Sequence, residues 1–317
     1  MLSWEFELAA GPFTSPTDGP VWDGEALLFT QIAPAGNAAN NRILRYEPQG
    51  RGVTDYRRWT NRTYGLAFGP DGLLYGAQAA GRRIVRFNAD GSASALAHKL
   101  DGIYHNQPKD LVVDRRSRIW FCDPHGELRS AMNPQIHDKL DHASVLRLEV
   151  PNPDSPIIRM TYDTDAPASV LLSQDEGTLY VAESSDEPED RRELRAYAIL
   201  ENDALGPYRL LHTFGADHTG VHRGISGMCL DQNGNVVACA GTQGVGPGPM
   251  VYVFTPQGQV LESHPLPSEP TNCAFGGPEL STLYVTTSQG ELYRCENTGR
   301  QGWILYPSSN GVGEHQA

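Results

Sequence analysis

Short apolar runs alternate with turn-rich punctuation along the whole chain, and no long stretch carries the 3.6-residue period of an amphipathic helix. One unit recurs: an apolar strand, a turn rich in Asp, Asn and Gly, then a second strand of β-branched and aromatic residues. It is seen as GPVWDGEALLFT from Gly19, GLAFGPDGLLYGA from Gly65 and DLVVDRRSRIWFC from Asp110. SVLLSQDEGTLYVA from Ser169, GMCLDQNGNVVACA from Gly227 and NCAFGGPELSTLYVT from Asn272 complete the set. Each is followed by a further strand-like pair, such as RRIVRFNADG after the second copy and MVYVFTPQG after the fifth. The steps between the six anchors are 46, 45, 59, 58 and 45 residues. That period suits about four short strands per unit, the size of a propeller blade. The two long steps leave room for insertions, such as the segment from Pro124 to Ala143. The pattern predicts an all-β protein, a six-bladed β-propeller filling residues 1–317 as one domain. A β-sandwich with coincidental hairpins is the alternative. WEFELAA near the N-terminus and GWILYPSS near the C-terminus are left over, and they are expected to share a blade and close the ring.

Composition narrows the setting. A formal net charge of −13 argues against a nucleic-acid partner, and no segment approaches the length of an apolar membrane span. The N-terminus lacks a basic region before an apolar core, so no signal peptide is expected. The five cysteines show no CxxC spacing, and several fall in apolar runs, which points to buried free thiols and a cytoplasmic location.

In a propeller the innermost strand of every blade lines a central channel, so equivalent repeat positions form a ring. The residues just before the anchors are Asp18, Tyr64, Lys109, Ala168, Ser226 and Thr271. A carboxylate, a cation, a phenol and hydroxyls around one mouth are expected to bind a small molecule. An ion pair between Lys109 and Asp18 that simply plugs the channel is the alternative.

TDGPVW, KDLVVD, GMCLDQNGN and above all NCAFGGPELSTLYVTT resemble the senescence-marker-protein/gluconolactonase/luciferin-regenerating-enzyme family, and the resemblance runs through all six blades. It implies a six-bladed propeller, in many members a lactonase that holds one divalent cation, often calcium, in the channel. It also implies metal ligands at three ring positions: an acidic residue before the first anchor, Asn before the fourth and Asp before the fifth. An Asn before the third anchor contacts water or substrate. Here Asp18 keeps the acidic position and is the single candidate metal ligand retained, whereas Ala168, Ser226 and Lys109 stand at the other three. Calcium needs six to eight oxygens, several of them carboxylate, so no cofactor is expected. Lys109 is expected to do electrostatically what the metal does in relatives.

Loop residues near the ring complete the candidate site. His105 and His222 lie within four residues of Lys109 and Ser226 and suit proton transfer near neutrality, beside Asp18 and Lys109 as catalytic candidates. Tyr64, Asn106, Ser226, Thr271, Glu183 and His125 are the candidate substrate-binding residues, with Asp123 a further rim position. The expected activity is hydrolysis of a lactone or other cyclic ester in the channel. A metal-free lyase or isomerase on a small oxygenated substrate, and a non-catalytic ligand-binding propeller, are the alternatives.

Overall fold

A computed structural model describes residues 3–34, 37–50, 52–126, 139–185 and 190–306. Among them, six sheets of four or five antiparallel strands follow one another in chain order. Their innermost strands are Thr17–Trp22, Thr63–Phe68, Leu111–Val113, Pro167–Leu172, Ile225–Asp231 and Pro270–Gly276. Each coincides with one of the six sequence copies, so the protein is a six-bladed β-propeller.

Burial explains why the copies read as they do. The second strand of a blade is covered on both faces by its neighbours, so Leu27–Gln31 and Ile119–Asp123 are buried at every position. The outermost strands face water and turn polar, as in Gly52–Arg58. Apolar side chains gather in clusters between blades. Leu28 and Ile43 of blade 1 pack on Leu66, Phe68 and Val85 of blade 2, and Tyr75 and Ile84 of blade 2 pack on Phe121 and Leu146 of blade 3. Each such side chain stabilises the fold by about 1.5–3 kcal/mol. The hairpin aspartates hold the turns through backbone amides: Asp114 Oδ1 accepts from the N–H groups of Arg116 and Arg118, and Asp231 Oδ1 from Asn233 and Asn235.

Ring closure differs from the expectation at one end. The N-terminal strand Glu7–Ala10 pairs with Leu292–Cys295 and becomes the outermost strand of blade 6. The C-terminal segment does not share that blade. Gly302–Trp303 instead pairs with Leu230 and Asp231, at the end of the innermost strand of blade 5. Arg300 ties the segment there by donating to Asp231 Oδ2 at 2.6 Å, and Trp303, Ile304, Leu305 and Tyr306 face the channel. Apolar WILY fits an outer strand or a plug equally well by pattern, and the open apolar end of the channel captures it. The long third step is an insertion as expected, although residues 127–138 of it lie outside the described set. Four of the five cysteines are buried, and Cys229 is half-buried. No helix among the described residues is long and apolar enough to cross a membrane.

Candidate active site

The six ring positions share a local irregularity. The pairing of innermost and second strands slips between Asp18 and Val21, Thr63 and Leu66, Pro167 and Ser169, Ile225 and Gly227, and Pro270 and Asn272. In blade 3 Lys109 and Asp110 together face Cys122, whose carbonyl accepts from Lys109 N–H and whose N–H donates to Asp110 O. Every blade therefore has a β-bulge where the ring residue sits. A bulge re-aims side chains and ends regular pairing, and this one sets the ring at the mouth.

Just inside the ring lies a tight layer formed by Gly19, Gly65, Asp110, Ser169, Gly227 and Asn272. Gly19 has φ +51°, and a Cβ there would collide with the Tyr64 carbonyl oxygen. At Gly227 a Cβ would collide with the Asn272 side chain. Bonds cross from blade to blade at this level: Gly65 N–H to Lys109 O at 2.8 Å, Ser169 Oγ to Asp110 Oδ2 at 2.5 Å, and Ser226 Oγ to Pro270 O at 3.0 Å. Thr271 Oγ1 donates to Thr17 O at 2.7 Å. Beyond this layer a chamber of about 130 Å³ is walled by Val21, Leu66, Val112, Val170, Met228 and Phe275, with the C-terminal segment at its far end. The channel is thus polar at its mouth and apolar within.

Asp18 is 5% exposed. Its Oδ1 accepts from Gly19 N–H at 2.7 Å. Burial raises its pKa above the ordinary carboxylate value, against the pull of Lys109, the Gly19 amide, the Asn272 side chain and Arg223. Asp110 is pushed up to about 7, again by burial first, with the Ser169 hydroxyl opposing and the Asp18 charge adding. Lys109 is half-buried, and its ammonium makes no hydrogen bond or ion pair with a described residue. The alternative, an ion-pair plug, is therefore not formed: Lys109 lies close enough to Asp18 to influence it but not against it.

The structure brings Asp18, Tyr64, Lys109, Ser226 and Thr271 together, and sets the loop candidates apart. His105 is fully buried, edge-on to Phe121, with Nε2 3.4 Å from Ala97 O. Burial lowers its pKa to about 3, so it is a neutral packing residue rather than a proton carrier at the mouth. Asn106 spends its side chain on structure, donating to the Asp123 and His142 carbonyls and accepting from Leu140 N–H. His125 Nε2 lies 3.0 Å from Leu140 O at the base of the same insertion. Glu183 is buried, and its Oε2 accepts from Asp165 and Ala166 N–H, pinning the loop that enters blade 4. Asp123 accepts from Asn106 N–H and is pushed up to about 7 by burial. His222 is half-buried on the rim, with Nε2 3.2 Å from Asp217 Oδ2.

Sequence reasoning missed Asn272, Asp110, Arg62 and Arg223. The first two stand next to ring positions and fall just inside the mouth because of the bulge. Arg223 donates to Gly241 O and Pro270 O, and Arg62 donates to the Tyr64 hydroxyl at 2.9 Å. Both come from irregular loops, where no period indicates direction.

The family described as SMP-30/Gluconolactonase/LRE-like region matches residues 16–289. The chain belongs to this family. It is 25% identical over 281 residues to the pentonolactonase XacC of Haloferax volcanii, covering 86% of this chain and 82% of that one. It is 27% identical over 195 residues to YvrE of Bacillus subtilis (strain 168), a match spanning 60% of either chain. Among solved structures, XC5397 of Xanthomonas campestris, a gluconolactonase, superimposes with a TM-score of 0.73 at 30% identity, covering 92% of this chain and 89% of that one.

Proposed function

We propose that the protein hydrolyses a lactone or related cyclic ester at the channel mouth, with Lys109 in place of a divalent cation. Family membership and the lactonase names of its relatives support the reaction class. The donor set supports the absence of a metal. Calcium needs several carboxylates among six to eight oxygens. The ring supplies one carboxylate, already bonded to Gly19 N–H, and a Ser226 hydroxyl that donates to a carbonyl. Ala168 supplies no side-chain donor atom, and the Lys109 and Arg223 charges repel a cation. These residues do not fit the family metal.

The chemistry then rests on two side chains. Asp18, made more basic by burial, accepts a proton from water as the water oxygen bonds to the lactone carbonyl carbon. The carbonyl electrons move onto oxygen, where the Lys109 ammonium stabilises the developing charge. Collapse of that intermediate breaks the ring C–O bond, and the leaving oxygen takes the proton back from Asp18. The product is a hydroxy acid. The observation that carries this reading is Lys109, a half-buried ammonium at the mouth with no described partner. A panel of five- and six-membered sugar lactones tests it, followed by acid release with and without a strong chelator. Hydrolysis that survives chelation is expected. Activity that vanishes with the chelator and returns with calcium would contradict the metal-free reading, and no hydrolysis across the panel would contradict the reaction class.

A further inference from the structure

Cations on this protein are mostly matched by acids. Arg42, Arg58, Arg115, Arg118, Arg159 and Arg300 each hold a carboxylate oxygen within 4.0 Å. The mouth is different. Lys109, Arg223 and Arg62 form no ion pair with a described residue. Arg223 donates only to the carbonyls of Gly241 and Pro270, and Arg62 to the Tyr64 hydroxyl, with its Nε buried and unpartnered. Lys109 and Arg223 act on the same carboxylate, Asp18, which places both at one end of the channel. The neighbouring acids act on them through space but close no ion pair. Asp110 is shifted toward its neutral form, and Glu269 feels the Arg223 charge without closing an ion pair, its oxygens accepting instead from Thr242, Gln243 N–H and Ser288. A chain with a net charge of −13 thus keeps Lys109, Arg223 and Arg62 out of ion pairs with described residues around its one ring carboxylate, with donors left for a ligand.

We infer that this mouth binds an anion, and that the lactone turned over carries a free carboxylate outside its ring. The inference rests on the lactonase reading for the reaction and names the substrate class. Arg223 holds the carboxylate, while Lys109 faces the reacting carbonyl. Arg62, through Tyr64, adds positive potential on the blade 2 side. A guanidinium that already spends donors on fixed carbonyls is held in place before the ligand arrives, so little conformational freedom is lost on binding.

The test uses the intact protein and two open-chain probes of equal length, a sugar diacid and the corresponding neutral polyol, with binding measured by calorimetry. The diacid is expected to bind at least about tenfold more tightly than the polyol, as charged hydrogen bonds require, and to weaken as salt rises. Arg223→Met should remove about tenfold of the diacid affinity, and Arg223→Lys should restore part of it. Thermal melts of both variants establish that folded protein is compared, and Arg62→Met serves if Arg223→Met does not fold. Equal binding of the two probes, or diacid affinity unchanged in the folded Met variant, overturns the inference. Diacid binding without hydrolysis of any lactone would leave the anion site standing and defeat the lactonase reading. Hydrolysis of neutral lactones with no diacid binding would do the reverse.

Discussion

At the scale of single residues, burial sets the chemistry. Asp110 is the clearest case, with a folded-state pKa of about 7 against an ordinary 3.8. Between those values the folded protein keeps a proton that the unfolded chain releases, so stability falls as pH rises from about 4 to about 7. Asp18, Asp123 and Glu183 are raised too and act in the same direction. Asp110→Asn preserves an acceptor for the Ser169 hydroxyl and removes one titration. Its stability, followed by urea unfolding across that range, should decline less than that of the wild type, and parallel curves would show that Asp110 is not the strained group. Lys109 and Asp18 were legible from the repeat alone, because equivalent positions of a repeat share an environment. His105 was not. Its neighbourhood in sequence suggested the mouth, whereas the hairpin of Lys99–Leu100 and Ile103–Tyr104 folds it against Phe121.

The innermost strands explain why the mouth is polar and the interior dry. Alternation along a strand would send ring residues and their successors to opposite faces, and the bulge in each blade interrupts that alternation. Close approach just inside the ring depends on missing side chains. Gly227→Ala would force a methyl into Asn272, which helps orient Asp18. Overpacking of this kind costs about 1–3 kcal/mol. The variant should melt lower and lose turnover together, and an unchanged melting temperature would show that the layer yields easily. The existence of six innermost strands was legible from period and turn chemistry. The bulge was not, because one extra residue per strand leaves the hydrophobic pattern almost unchanged.

On the scale of the molecule, the two ends of the chain have separate tasks. The N-terminal strand closes blade 6, and Trp4 beside it stacks on His264 of blade 5 with ring centroids 4.0 Å apart. Trp4→Ala should cost about 3–5 kcal/mol, read as a shift of the unfolding midpoint, because a buried aromatic leaves a cavity at a blade junction. A midpoint within error of wild type would mean that closure does not depend on that anchor. The C-terminal segment lines the apolar end of the channel, leaving the mouth as the polar end where Asp18 and Lys109 stand. The central claim is that the Lys109 charge serves the reaction rather than the fold. Lys109→Met, compared with wild type in turnover of the best lactone and in melting temperature, tests it most directly. With no ion pair to break, the variant should melt close to wild type and lose about a hundredfold or more in turnover. A variant that melts far below wild type yet keeps its turnover when folded would make Lys109 a structural residue and contradict the account.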